Sequence, residues 1–315
     1  MRVLIAPLNW GLGHATRCIP LIRRYVKEGA EVWLGGTGAS LRLLKSYFPE
    51  LTSIELAPLD IRYNAGKSQV TAMLRALPQL VRFMRGNRKK IRELVSSVSF
   101  DLIISDNCFG VYSEQCDCVY MTHQLHICMP RPWRWLEPLA ARCHARLYNK
   151  YKEIWVPDYA DDENLSGILG HPKRLDKRVK YIGPLSRFEN IERDAIDSVS
   201  TRGKYDVVAV LSGPEPQRTV FEQEIMARYA DSNEQVLIVR GKTDEPMTHI
   251  LRQNIMLVPH LPDDKLRQEL QATKHIIARS GYSTIMDLHV LGLLSKAELH
   301  PTPGQSEQEY LAKNF

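Results

Sequence analysis

Several short stretches place chemically able side chains beside glycines, each just after an apolar run. The first reads Asn9-Trp10-Gly11-Leu12-Gly13-His14 and follows Val3 to Ala6. Gly11 and Gly13 let a backbone approach a ligand closely, and a helix opening there favours negative charge. His14 titrates near neutrality when unperturbed, so it could take a proton from a hydroxyl; it could equally cap or orient the loop. The second stretch is Ser105-Asp106-Asn107-Cys108-Phe109-Gly110. Asp106 ends a buried run and could orient His14, bind a hydroxyl or serve as an alternative base; a helix N-cap is the structural alternative. His123, in Thr122-His123-Gln124, is placed similarly, either facing the same ligand or as a structural histidine with its hydrogen bonds satisfied.

Three later stretches suit phosphate and sugar. Leu211-Ser212-Gly213-Pro214-Glu215-Pro216-Gln217-Arg218 offers Ser212, Gly213 and Arg218 to a pyrophosphate, although its prolines remove amide donors. Arg279-Ser280-Gly281 can present amides and a cation to phosphate. Asp287, one helical turn beyond Ser283, can accept from ribose hydroxyls or stay solvated. The last stretch runs from His300 through Pro301, Pro303, Gly304 and Ser306 to Tyr310. Ser306 with Glu309 fits a capping box, and Gln308 can both donate and accept, as sugar recognition requires.

Other chemistries fit less well. A dinucleotide fingerprint would need a glycine where Thr16 stands and an acidic residue after Glu31-Val32-Trp33-Leu34. No complete G-x-x-x-x-G-K-[ST] is present, since Gly66-Lys67-Ser68 and Gly241-Lys242-Thr243 lack the glycine five positions earlier, which argues against a P-loop nucleotidase. No D-x-D pair stands where a metal would be held; Asp161-Asp162 and Asp263-Asp264 read as helix starts, so no metal is expected. The net charge of +6 is modest and no nucleic-acid-binding signature accompanies it.

These loops need elements to carry them. Short apolar runs alternate with amphipathic ones, which predicts parallel sheets covered on both faces. Strands are expected at Val3–Ala6, Glu31–Leu34, Ile54–Leu56, Asp101–Ser105, Val119–Thr122, Ile154–Val156 and Val179–Ile182. Helical spacing runs over Arg17–Lys27, Ser40–Tyr47 and Val70–Val95. A polar stretch follows Gly183-Pro184-Leu185, and a second alternating series begins at Val207. The 315 residues thus divide into 1–185, a linker 186–203, and 204–315. The fold class is α/β, with two Rossmann-like doubly wound domains. Six scattered cysteines read as reduced thiols, and no signal peptide or spanning segment of roughly 20 apolar residues is seen. A cytoplasmic location is expected. Pro130 to Tyr151 mixes Trp133, Trp135 and Leu139 with arginines, the composition of a peripheral seat on an anionic membrane or of a core helix with snorkelling arginines.

Taken in order, G-x-G-H, S-G-x-E, R-S-G-x-x-T-x-x-D and P-x-P-x-Q-x-E-Q-E-Y resemble the glycosyltransferase group that contains MurG. Most of the match lies in Arg279 to Asp287 and Pro301 to Tyr310. The resemblance implies the GT-B fold, with its domains facing across a cleft, and an inverting, metal-independent hexosyl or N-acetylhexosaminyl transfer. A UDP-sugar would be a co-substrate and no cofactor would be needed; the acceptor is expected to differ from the family's, a glycan or, with the Trp133/Trp135 segment seated on the inner face of the cell membrane, a lipid-linked molecule. By the same resemblance, Ser212 and Gly213 would face the diphosphate, with Arg279, Ser280 and Gly281 nearby and Asp287 at the ribose. Gln308 and Glu309 stand where the family has a pair of glutamines on the donor sugar. Asn9 to His14 departs from the family's G-G-x-G-G-H, which argues against MurG itself. Family members usually continue past the point corresponding to Phe315, so the chain is expected either to be shortened or to close differently. Two rivals share the donor features: a UDP-sugar 2-epimerase and a non-catalytic nucleotide-sugar-binding protein.

Overall fold

The structure, a computed structural model, describes residues 1–59, 69–189, 203–243 and 245–315. Residues 190–202 of the expected linker lie outside the described residues. The chain forms two compact units. One comprises Met1–Leu185 with Gly304–Glu307, the other Ser186–Pro303 with Gln308–Phe315.

The first unit is a parallel sheet of β1 (Arg2–Pro7), β2 (Glu31–Gly36), β3 (Thr52–Glu55), β4 (Leu102–Asp106), β5 (Asp117–Met121), β6 (Glu153–Val156) and β7 (Val179–Tyr181). The spatial order is β3-β2-β1-β4-β5-β6-β7. Side chains alternate along each strand, so Leu4, Ala6 and Ile103 enter one core and Val3, Ile5 and Ile104 the other. Burial on both faces is why these runs are continuously apolar rather than alternating. The long helices of this unit among the described residues are α1 (Gly13–Lys27), α2 (Gly38–Tyr47), α3 (Gln69–Ser97) and α4 (Glu137–Tyr148). In α1 the apolar residues Ala15, Cys18, Ile19 and Ile22 are buried along one stripe. This helix begins at Gly13, a full turn before the Arg17 expected from its apolar spacing, because Gly13, His14 and Thr16 offer no hydrophobic periodicity to detect.

β1 lies between β2 and β4, so the chain departs from it in one direction and returns on the other side. Such a switch point opens a crevice at the carboxyl ends of the strands. Pro7 pairs with Asp106 in register, and Leu8 N–H donates to the Asp106 carbonyl at 2.9 Å.

The second unit has β8 (Val207–Val210), β9 (Val236–Val239), β10 (Ile250–Arg252), β11 (Ile255–Val258), β12 (His275–Arg279) and β13 (Ala297–His300), in the order β10-β11-β9-β8-β12-β13. Among the described strands of this sheet, β10 alone is antiparallel, paired with β11. It is exposed along its length, which is why its apolar content gave no strand signal. The switch point here is between β8 and β12. Helices α5 (Gln217–Tyr229), α6 (Asp263–Ala272), α7 (Tyr282–Val290) and α8 (Ser306–Leu311) follow in chain order.

Two local expectations are corrected. Asp161-Asp162 opens a turn rather than a helix, with the Asp161 carboxylate accepting from Glu163 N–H at 3.1 Å. Ser306 is the first residue of α8 rather than the residue before it, so it does not cap the helix, and its hydroxyl donates to the Cys128 carbonyl at 2.8 Å. Asp263 does start α6. Among the described residues, no helix is long and apolar enough to cross a membrane.

Candidate functional site

At the first unit's switch point, a buried polar cluster gathers residues from distant parts of the chain. His14 sits in the opening turn of α1 and Arg17 one turn later, so both project to the same side. Asp106 ends β4 and is fully buried. No helix follows it, so its carboxylate is not an N-cap. His14 Nδ1 lies 3.0 Å from Asp106 Oδ2. Arg17 Nε donates to that oxygen at 2.7 Å, and Arg17 Nη2 donates to Oδ1. This fork-to-carboxylate geometry is the strong form of the ion pair. Burial opposes ionisation of Asp106, yet the charges of Arg17 and His14 win and hold its carboxyl far below the usual range. Burial, with help from Arg17, presses the pKa of His14 down, while Asp106 pulls it back up. A mostly neutral imidazole beside an ionised carboxylate is the arrangement of a general base with its orienting group.

His123 follows β5 and is buried to 6% exposure. Arg17 Nη1 lies 2.9 Å from its Nδ1, and Glu307 Oε1 lies 2.7 Å from its Nε2. Glu307 is held low in pKa, burial being outweighed by His123, His14 and Arg17. Gly11, at φ +76, has open space where a Cβ would lie, while Gly13 opens α1 and its carbonyl accepts from the Thr16 hydroxyl at 3.0 Å.

In the second unit, the strand order places the loop after β8 and the loop after β12 at the switch point. Arg279 laces them together. Its Nη1 donates to the Pro301 carbonyl at 2.9 Å, its Nη2 to the Gln217 carbonyl at 3.2 Å, and its guanidinium lies 3.9 Å above the Phe221 ring. Ser280 adds a tie, its hydroxyl donating to the Gln308 carbonyl at 2.8 Å. Gln308 Oε1 in turn accepts from Thr302 N–H at 2.8 Å. Glu309 is exposed. Gly213 has φ +98 with open space where a Cβ would lie, and Ser212 beside it is half-buried. Arg218 pairs with Glu215 and donates to the Gly241 carbonyl at 3.0 Å. Gly281 precedes the first turn of α7. Asp287 is buried, with Ser186 Oγ donating to it at 2.6 Å and Arg187 Nε 3.3 Å away. Burial raises its pKa.

The sequence singled out His14, Asp106 and His123, and the first unit brings all three together. Two members were missed. Arg17 appeared only as the first residue of an amphipathic helix, although its spacing of three from His14 was a usable signal. Glu307 was overlooked beside the glutamine and glutamate that follow it.

Two doubly wound units of this strand order form the GT-B fold. No protein-family model matches the chain. It is 22% identical to an uncharacterized glycosyltransferase of Methanosarcina mazei over 333 residues, covering 98% of this chain and 82% of that protein. A second uncharacterized glycosyltransferase, of Methanosarcina acetivorans, is 23% identical over 325 residues with the same coverage. Among solved structures, the spinosyn rhamnosyltransferase SpnG complexed with thymidine diphosphate superposes with a TM-score of 0.62 at 12% identity, covering 99% of this chain and 84% of that one. MurG of Acinetobacter baumannii gives 0.51 at 12% identity, covering 100% and 82%. A putative UDP-N-acetylglucosamine 2-epimerase from Listeria monocytogenes gives 0.56 at 13% identity, covering 100% and 86%.

Proposed function

We propose that this chain is a glycosyltransferase that moves a hexosyl or N-acetylhexosaminyl group from a nucleotide sugar, a UDP-sugar, to a hydroxyl of a glycan or lipid-linked acceptor. The observation that carries the reading is the His14–Asp106 pair at 3.0 Å on the switch point of the first unit. Transfer proceeds by direct displacement with inversion. The acceptor O–H proton passes to His14 Nε2 while the oxygen lone pair forms a bond to the anomeric carbon. The bond from that carbon to the diphosphate breaks, and its electron pair leaves with the nucleoside diphosphate. Asp106 orients the imidazole and stabilises the imidazolium.

The second unit binds the donor. Ser212, Gly213, Ser280 and Gly281 present the diphosphate with small residues and amides at the openings of α5 and α7, and the helix ends favour its charge. Arg218 and Arg279 add positive charge and fix the loop shapes, in place of a metal. Asp287 reaches the ribose only by exchanging Ser186 or Arg187 for ribose hydroxyls. Gln308 and Glu309 recognise the sugar. The thymidine diphosphate complex among the structural neighbours supports a pyrimidine nucleoside diphosphate as the leaving group.

Trp135 at 73% exposure and Leu139 at 56% sit with exposed Arg134, Arg142 and Arg146 on the first unit. Apolar side chains interleaved with cations suit the surface of an anionic membrane, where a lipid-linked acceptor would be held.

His14→Ala should lower turnover on the order of 10²-fold or more, with donor binding kept. Near-normal turnover in that variant would remove the base assignment. The donor is identified by thermal shift across UDP-, GDP- and dTDP-sugars, since a bound donor stabilises the folded state. The epimerase among the neighbours makes a second reading testable: conversion of UDP-N-acetylglucosamine alone into its 2-epimer would favour it. Tight donor binding with no transfer to any acceptor would instead favour a binding protein.

A further inference from the structure

The first unit buries more polar groups beside His14 than a base and one carboxylate require. Arg17 donates from every nitrogen and accepts nothing. His123 Nδ1, 2.9 Å from Arg17 Nη1, must therefore carry a lone pair. Its proton sits on Nε2 and is donated to Glu307 Oε1, 2.7 Å away. Arg17 thus donates in two directions, to Asp106 and to His123, and His123 donates onward to Glu307.

His14 has no such single answer. Its Nδ1 meets Asp106 Oδ2 at 3.0 Å and Arg17 Nη2 at 2.8 Å. If Nδ1–H donates to the carboxylate, Nε2 has a free lone pair and can take a proton. If Nδ1 accepts from Arg17, the proton is on Nε2 and the ring is no base. The placement of Arg17 decides between the two, and His123 holds the far end of that guanidinium.

We propose that His123 and Glu307 are positioning residues for the transfer reaction. They pin Arg17 to Asp106, and the Glu307 carboxylate completes a net negative surround for the imidazolium that forms when His14 takes the acceptor proton. The inference rests on the reading of His14 as base. The groups facing His14 are Asp106 from β4, Arg17 and Cys18 from α1, His123 after β5, and Glu307. With His14 neutral, the two carboxylates and one guanidinium sum to one negative charge; protonation of His14 brings the cluster to neutrality. Removing the Glu307 charge would leave a neutral surround, so that protonation of His14 would give the buried cluster one uncompensated positive charge, which burial makes costly. Glu307 is also joined by one peptide bond to Gln308, which with Glu309 is proposed to hold the donor sugar.

The test is Glu307→Gln, which keeps an acceptor for His123 Nε2–H and the side-chain shape but removes the charge. Its kcat should fall roughly tenfold, a part of what general-base catalysis contributes, with the donor KM close to wild type. The acid limb of the kcat profile should move to lower pH, and Glu307→Asp should restore part of both. A wild-type kcat and pH profile in Glu307→Gln overturns the proposal. If His14→Ala is inactive while Glu307→Gln is normal, only the positioning role fails; if His14→Ala is active, the base reading itself fails. A measurement on the unaltered protein stands beside these. Its ¹⁵N-histidine NMR spectrum should show His123 protonated at Nε2 and bare at Nδ1, and a protonated Nδ1 overturns the proposal.

Discussion

Asp106 Oδ2 receives Arg17 Nε at 2.7 Å, and Arg17 Nη2 closes the second arm on Oδ1. The pair is buried, with side-chain exposures of 1% for Arg17 and 0% for Asp106. Two ions so deep are stable only as a pair, and removing one leaves the other without compensation.

Asp106→Asn should therefore lose stability of about 3–5 kcal/mol and turnover on the order of 10³-fold or more, because the amide can hold His14 in the wrong tautomer. The folded carboxyl is depressed, so its contribution is present above the ordinary carboxylate range and lost as pH falls below it. Urea unfolding at several pH values should show a steep acid decline in wild type and a flatter one in the variant. Parallel curves would contradict the pairing.

Gly110 has φ +86, and a Cβ there would lie 2.3 Å from the Met84 carbonyl oxygen. Both the backbone and the contact resist a side chain. Gly110→Ala should cost more than about 2 kcal/mol, read as a lower denaturant midpoint. A midpoint equal to wild type would show that the loop after Asp106 yields freely.

Arg279→Lys keeps the charge but loses the fork that reaches Pro301 and Gln217 and the plane that stacks on Phe221. Nucleoside diphosphate affinity should drop roughly tenfold, or about 1.4 kcal/mol, by calorimetry. Unchanged affinity would mean that the lacing of these loops is irrelevant to the donor.

Glu298 on β13 meets Arg228, His275 and His300, with contacts of 2.8, 3.0 and 2.7 Å. The Arg228 bond leads these in lowering its pKa from 4.5 to about 2. A depressed carboxyl stabilises above its unfolded value and stops doing so as pH falls through its folded one. Wild type should exceed Glu298→Gln in thermal stability at neutral pH, with the gap closing between pH 4.5 and about 2. A gap that persists to the lowest pH would contradict this.

Trp135→Ser with Leu139→Ser should abolish flotation with anionic vesicles, and flotation of the wild type should weaken with added salt. Salt-independent recovery, or equal recovery of both proteins, would rule out the membrane face.

Much of the scaffold was legible. The runs at Val3–Ala6 and Val207–Leu211 are apolar throughout because both faces of their sheets are covered. Gly11 and Gly213 marked the loops because their backbones adopt positive φ. The edge strand β10 was not legible, since an exposed strand carries no demand for apolar residues. The start of α1 was missed for a related reason. Its first turn faces a polar cluster, so Arg17 is buried by pairing rather than by hydrophobicity.

The sequence by itself determined the alternation of strands and helices, the two doubly wound units, and the loops at the ends of their strands. Burial of apolar residues and the backbone freedom of glycine are local demands that leave marks in the chain. The tertiary structure alone decided which of those loops meet. Arg17 stands 89 positions from Asp106 and 106 from His123, and His123 stands 184 from Glu307. No local pattern encodes those distances. The first two follow from the strand order that sets β1 beside β4 and β4 beside β5, so that the loops leaving them converge.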